Sequence, residues 1–173
     1  LPLAISFYTF QALGYTIDVY RGQQKPETDL FDFALFMVLF FQLVAGPIER
    51  AKKLLPQVKQ RRLKDVDTFV SGLWLIFLGI YKKVGVADQL FPWSWELMPP
   101  GTQPWGFTYH GINVLLSTTL GALAMYADFS GYTDAMRGLG RLFGFDVSQN
   151  FRAPFLARNI QEYWGRWHIT LTL

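Results

Sequence analysis

The residue best suited to acid–base chemistry is His168, in the stretch NFRAPFLARNIQEYWGRWHITLTL that begins at Asn150. An imidazole titrates near neutral pH, so it can take a proton from a hydroxyl group. A helix opening near Asn159 would place Trp164 and His168, four positions apart, on one face, with Trp167 nearby. Asn150 is then a turn residue and Asn159 a helix cap. A histidine packed among aromatic residues is more often structural, so both interpretations stand at this point.

The composition limits the classes of protein to consider. Charged residues make up 17% of the chain and hydrophobic residues 51%, whereas soluble domains average about 25% charged residues. The sequence contains no cysteine, which excludes disulfides and thiolate chemistry. No group of His, Asp and Glu residues has metal-site spacing, and no glycine-rich phosphate loop follows a strand. The sequence therefore predicts no bound metal or cofactor.

Four apolar stretches predict helices that cross a membrane. They are residues 1–17, 30–48, 68–81 and 105–127, and the last contains no charged residue. A helix that spans a bilayer needs about 20 apolar residues. We therefore predict an all-α, multi-pass transmembrane helical bundle with amphipathic or re-entrant helices, forming one membrane-embedded domain over residues 1–173. The alternative is a soluble all-α domain whose helices are buried.

The segments between these stretches predict an orientation. Lys and Arg are concentrated between positions 50 and 64, which is typical of a cytoplasmic loop beside lipid headgroups. That loop has no interleaved aromatic residues, so nucleic-acid binding is not expected. Residues 88–105 are then an external loop, and Lys82 and Lys83 snorkel or mark a segment that lies flat. Residues 134–145 predict an amphipathic helix on the membrane or against the bundle.

Five motifs follow one another along the chain: LPLAISFYTFQALGYTIDVYRG, LVAGPIERAKKLLPQ, YADFSGYTDAMRGLGRLFGF, NFRAPFLARN and WGRWHITLT. Together they resemble the membrane-bound O-acyltransferase family, over nearly the whole chain. The nearest branch is the alginate O-acetyltransferase type, and the protein that transfers D-alanine towards teichoic acid is more distant. Gly165 departs from the Arg that is common in the polysaccharide branch. The resemblance implies that the chain is an internal part of a longer protein.

The resemblance also implies a function. A member of this family would lie in the bacterial inner membrane and move an acyl group, expected to be acetyl, to a hydroxyl of an exported polysaccharide. The donor would be a cytoplasmic thioester such as acetyl-CoA or an acyl carrier protein, bound as a substrate. The acceptor would be the polysaccharide or a periplasmic protein that relays the acetyl group. His168 matches the family's proposed catalytic histidine, which lies in a tunnel across the protein.

Neighbouring residues are expected to support His168. Trp164 and Trp167 would line the tunnel and exclude water. Gln42, inside an apolar run, either faces the site or bonds to nearby backbone. His110 is expected to be an interface residue.

Two charged residues leave alternatives open. Asp128 either orients the histidine or binds the acceptor, or else it caps a helix or pairs with Arg137 or Arg141. Arg166 either holds a donor phosphate or an oxyanion, or it faces lipid headgroups.

Three other functions remain compatible with the sequence. One is transfer of D-alanine or another acyl group to a cell-wall polymer. A second is a transporter in which Gln42, Asp128 and His168 form a polar pathway. A third is a membrane scaffold without catalytic activity, whose basic loop recruits a soluble partner.

Overall fold

The computed structural model describes residues 5–42, 46–60, 65–97 and 111–172, and within these ranges the chain is helical and contains no strand. The α-helices are α1 (Ile5–Tyr20), α2 (Leu30–Val38), α3 (Ala51–Lys59), α4 (Val66–Ile80), α5 (Asp88–Glu96), α6 (Gly111–Leu142), α7 (Ile160–Trp164) and α8 (Ile169–Thr172). A π-helix, Tyr81–Ala87, joins α4 to α5, and a 3-10 helix, Pro154–Leu156, precedes α7. The predicted all-α class is confirmed.

Two helical runs are long and apolar enough to cross a membrane. Val66–Glu96 contains 31 residues and comprises α4, the π-helix and α5, and Gly111–Leu142 contains 32 residues. Only 11% and 17% of their apolar windows are buried. A core helix of a soluble domain would instead bury its apolar residues. The outward-facing apolar side chains therefore favour the membrane over the soluble alternative.

Both long runs extend beyond the spans predicted from the sequence. The external loop predicted over residues 88–105 is wrong for its first part, because Asp88–Glu96 is helical. Packing on α6 explains this, since the Ser117 hydroxyl donates to the Ser94 carbonyl at 2.7 Å. The separate amphipathic helix predicted over residues 134–145 is also wrong, because α6 continues without interruption to Leu142. Tertiary packing overrides the local turn signals of Pro92 and of the Ser-Gly pair in α6.

Two pairs of glycines let α4 and α6 cross closely. A Cβ atom built on Gly79 would lie 2.4 Å from the Gly131 carbonyl oxygen, and one on Gly138 would lie 2.5 Å from the Gly72 carbonyl oxygen. Real Cβ atoms do not approach backbone this closely, so these positions accept only glycine without a shift of the helices. The two crossing points fix the relative position of the long helices.

Beside this crossing, the two lysines of the π-helix form ion pairs with carboxylates of α5 and α6. The Lys82 ammonium lies 2.7 Å from Asp134, and the Lys83 ammonium lies 2.8 Å from Asp88 and 2.9 Å from Asp128. Lys82 therefore has a carboxylate partner on α6, and Lys83 has one on α5 and one on α6; whether these lysines snorkel or mark a segment that lies flat stays a prediction.

The predicted second span does not form one helix. α2 ends at Val38, and Phe36 and Phe41 enter a buried cluster with Leu54 of α3 and Phe145. Gly46 lies directly against Phe41, since a Cβ atom on Gly46 would lie 1.8 Å from the Phe41 carbonyl oxygen. α1 is described from Ile5 to Tyr20, and residues 1–4 of the first predicted span lie outside the described residues.

Candidate active site around His168

His168 lies in a turn between two short helices. The Asn159 side chain accepts a hydrogen bond from the Glu162 N–H at 2.8 Å, so its predicted role as the cap of α7 is confirmed. The last bond of the turn after α7 runs from the Trp167 N–H to the Tyr163 carbonyl at 2.9 Å. His168 follows with φ of 44°, in the left-handed conformation with which many helices end.

This turn corrects the predicted helix that was to carry both Trp164 and His168. α7 ends at Trp164, and the left-handed residue redirects the chain into α8. Trp164 and His168 therefore do not share a helical face. Trp164 is 51% exposed, whereas His168 is 8% exposed.

The imidazole of His168 is enclosed by phenyl rings. Its centroid lies 5.1 Å from that of Phe129 and 6.3 Å from that of Phe151. Nδ1 is buried and has no hydrogen-bond partner among the described residues. Burial lowers the pKa of His168 below its ordinary value of 6.5, because an apolar surrounding disfavours the charged form. At neutral pH the side chain is therefore a neutral imidazole that can accept a proton.

The two predicted indoles differ in their relation to this site. Trp167 packs edge-on against Phe151 with centroids 5.0 Å apart and stacks on Tyr163 at 5.8 Å. Trp164 contacts Tyr163 at 5.4 Å. Trp167 thus supports the ring beside the histidine, and the sequence analysis missed Phe151, although it directly follows Asn150 in the NFRAPF motif.

Asp128 directly precedes Phe129, which contacts the imidazole, but the Asp128 carboxylate is paired with a lysine. Its carboxylate pairs with Lys83 at 2.9 Å and makes no hydrogen bond to the buried Nδ1 of His168. Of the arginines suggested as its partner, Arg137 pairs with Asp134 instead, at 3.2 Å. Asp128 and Phe129 line an apolar groove of about 410 Å³ between the π-helix and α6. Phe129, also missed from the sequence, belongs both to this groove and to the wall around the imidazole.

The other predicted side chains satisfy nearby polar groups. The Arg166 guanidinium, in the turn after α7, pairs with Glu162 of that helix. Gln42 is buried, donates to the Phe36 carbonyl at 3.3 Å and accepts from the Glu49 N–H at 3.3 Å. Its expected backbone partner is therefore present. His110 lies outside the described residues.

Two buried polar residues near the site were not predicted to belong to it. Asn150, predicted to be a turn residue, is fully buried and accepts hydrogen bonds from Thr170, 20 positions away. Glu49 is also buried, and its carboxylate accepts hydrogen bonds from the backbone and hydroxyl of Ser148. Burial raises the pKa of Glu49. Glu49 lies in the motif LVAGPIERAKKLLPQ and Asn150 in NFRAPFLARN, and this membership was the only sequence signal that could have identified them.

No family model matches the chain. It is 41% identical over 180 residues to the probable alginate O-acetylase AlgI of Pseudomonas aeruginosa, covering 99% of the chain and 32% of that protein. It is 32% identical over 198 residues to the peptidoglycan O-acetyltransferase of Helicobacter pylori, covering 99% of the chain and 37% of that protein. It is 25% identical over 173 residues to the teichoic acid D-alanyltransferase of Bacillus subtilis, covering 98% of the chain and 42% of that protein.

These similarities confirm the relationship that the motifs predicted. They extend over nearly the whole chain, and the alginate proteins are the more similar of the relatives compared. The chain spans about a third of the length of the alginate relatives.

Proposed function

We propose that this chain, a homologue of alginate O-acetylases over nearly its whole length, is part of a membrane-bound O-acyltransferase. The enzyme would move an acetyl group from a thioester donor on the cytoplasmic side to a hydroxyl of an exported polysaccharide. The similarity to proteins named for O-acetyl transfer supports the reaction class. The two helical runs of spanning length support a membrane location.

The observation that carries the proposal is the state of His168. A sugar hydroxyl is a weak nucleophile at neutral pH and gains from a base that removes its proton during attack. The imidazole is buried against Phe129 and Phe151, and one of its nitrogens has no partner among the described residues. The lowered pKa of His168 keeps this base neutral at pH 7.

The proposed step is a direct acyl transfer. The acceptor oxygen attacks the thioester carbonyl while His168 takes the hydroxyl proton. The tetrahedral intermediate then collapses, the carbon–sulfur bond breaks, and the imidazolium returns the proton to the leaving thiolate. The products are an acetyl ester and a free thiol, and the histidine is regenerated. The phenyl rings around the imidazole limit access of water, which would otherwise hydrolyse the donor.

Further parts of the proposal concern the surroundings of the enzyme. The full protein would cross the bacterial inner membrane several times and contact membrane lipid. Acetyl-CoA or an acylated carrier protein would approach from the cytoplasm, where the exposed Lys52 of α3 would face an acidic donor. The acceptor would be the polysaccharide or a periplasmic relay protein. Trp167 would support the wall of the tunnel through Phe151.

The second candidate is transfer of D-alanine to a wall polymer. The similarity to teichoic acid D-alanyltransferases favours it. The same histidine chemistry applies, because a D-alanyl thioester also reacts through its carbonyl carbon. Only the acyl group and the acceptor differ.

The test compares cells that carry the full-length gene as wild type, as His168→Ala or as Gln161→Ala. Gln161 is exposed on α7 and serves as the matched control. Ester-linked acetate on the extracellular polysaccharide and the amount of protein in the membrane are measured together. We expect near-complete loss of acetate only in His168→Ala, at equal protein levels.

Two results would overturn the proposal. Unchanged acetylation in His168→Ala would favour the transporter or scaffold alternatives. If wild-type cells carry D-alanine esters and no acetate esters, acetyl transfer is excluded and the second candidate, D-alanine transfer, is favoured.

A further inference from the structure

The segment that opens with Asn150 lies beside the segment that carries His168, and backbone hydrogen bonds join them on both sides of the histidine. On one side the Arg152 N–H donates to the Arg166 carbonyl at 3.0 Å. On the other side the Ile169 N–H donates to the Asn150 carbonyl at 2.9 Å. The backbone at the histidine is therefore held from both ends.

The side chain of Asn150 adds a second layer of bonds. It is fully buried, and its Oδ1 accepts from the Thr170 N–H at 3.2 Å and from the Thr170 hydroxyl at 2.6 Å. The Thr170 oxygen in turn accepts from the Ile48 N–H at 3.0 Å. One buried amide therefore links the segment after His168 to the turn that precedes α3.

These hydrogen bonds hold the backbone at His168 in an unfavourable conformation. His168 has φ of 44°, a left-handed conformation that is unfavourable for a residue with a side chain. If the bonds at Ile169 and Thr170 were lost, the turn would gain by becoming regular helix. The imidazole would then rotate away from Phe129 and Phe151.

We propose that Asn150 is a positioning residue that fixes, through Thr170, the direction in which the His168 imidazole points. The inference rests on the proposed acyl transfer for its consequence, since a displaced base reaches the acceptor hydroxyl poorly. A misplacement of about 1 Å can lower a rate by as much as about 100-fold. The effect of Asn150 on the reaction is indirect, through the position of the histidine.

The first test uses matched substitutions at Thr170 in the full-length protein. Thr170→Val keeps the shape of the side chain but removes the hydroxyl that bonds to Asn150. Thr170→Ser keeps the hydroxyl and serves as the conservative control. We expect the initial rate of polysaccharide acetylation, per membrane protein, to fall about tenfold in Thr170→Val. The rate in Thr170→Ser should stay within about twofold of the wild type.

The second test measures the chemical reactivity of the His168 imidazole directly and does not depend on acyl transfer. Diethyl pyrocarbonate modifies neutral imidazoles, and mass spectrometry of the peptide that contains His168 gives the rate of modification at each pH. In the wild type, burial should make modification slow. In Thr170→Val and in Asn150→Ala the imidazole should react several-fold faster, and its apparent pKa should rise towards roughly 6.5.

The combined outcomes separate this inference from the proposed function. Faster modification of His168 together with reduced acetylation in Thr170→Val supports the positioning role, provided that Thr170→Ser behaves like the wild type in both measurements. Lost acetylation with wild-type modification of His168, or full acetylation in Thr170→Val, overturns it. If the wild-type protein acetylates nothing, the proposed function fails. The modification rates alone then decide whether Asn150 and Thr170 hold the histidine.

Discussion

The ammonium of Lys83 lies 2.9 Å from the carboxylate of Asp128. This ion pair joins the π-helix to the middle of α6, next to the ring of Phe129 that contacts His168. π-Helical turns are rare and occur often at functional sites. Here the wider turn places two lysines against the carboxylates of the long helices.

This ion pair predicts that Asp128 and Asp88 are similar in their effect on stability. Lys83 keeps one carboxylate in Asp128→Asn and the other in Asp88→Asn, and both partners are about two-fifths exposed. Each substitution should therefore lower the stability of the protein by less than about 1 kcal/mol. The check is thermal unfolding in detergent.

A clearly larger loss of stability in Asp128→Asn than in Asp88→Asn would contradict this interpretation. Loss of acetylation in Asp128→Asn alone, without loss of stability, would instead reveal a contact with a substrate.

The glycine crossing predicts opposite effects for two alanine substitutions in the same helix. Gly131→Ala should destabilise by about 1–3 kcal/mol, because its Cβ would lie 2.7 Å from the Gly79 carbonyl oxygen. Gly121→Ala is the control, since the nearest atom to its Cβ would be 3.9 Å away, and alanine favours a helix by about 1 kcal/mol over glycine. Unfolding temperatures of the purified full-length variants would test this order, and equal values would contradict the close crossing.

The indoles should differ in their contribution to stability. Trp167→Ala removes contacts with Phe151 and Tyr163 and should cost roughly 2–3 kcal/mol, since the side chain is half-buried. Trp164→Ala should change stability by less than about 1 kcal/mol, because that side chain is largely exposed. Chemical unfolding with Phe replacements as conservative controls would measure both. An equal cost at the two positions would indicate that Trp164 is covered in the full protein.

The lowered pKa of His168 predicts the pH dependence of acyl transfer. In the proposed mechanism the neutral imidazole is the active base, so the rate should rise with pH through the pKa of His168 and then level off. Because burial places this pKa below 6.5, the plateau should already be reached near neutral pH. The measurement is the initial rate in membrane vesicles at a series of pH values, with spontaneous ester hydrolysis subtracted. An acid limb centred above pH 7 would show that another group titrates.

The same shift affects stability with a defined sign. Between the lowered folded pKa and the unfolded pKa, the unfolded chain binds more protons, so the contribution of His168 to stability declines as pH falls through this window.

Local sequence signals identified the parts of the structure that depend on local interactions. The apolar stretches predicted the two long helices, and Asn159 marked the start of α7. The choice of His168 as the candidate base rested on its residue type and motif, and its catalytic role stays a prediction. By contrast, the left-handed residue His168 is followed by Ile169 and Thr170, which donate hydrogen bonds to Asn150, and no helical periodicity reveals these bonds. The ends of the helices were wrong where packing dominated, as at Ser94 against α6.

The order of synthesis gives the hydrogen bonds around the histidine another consequence. Ile48 and Thr170 are 122 positions apart, and Glu49 and Ser148 are 99 positions apart. Contacts of such long sequence separation form late, because the loop between them must close first. The contacts of Ile48 and Glu49 must therefore wait, during biogenesis, until both long helices have been made. Under the proposed function, a partly inserted chain would lack an ordered base, and so it would not expend acyl donor before the protein is assembled.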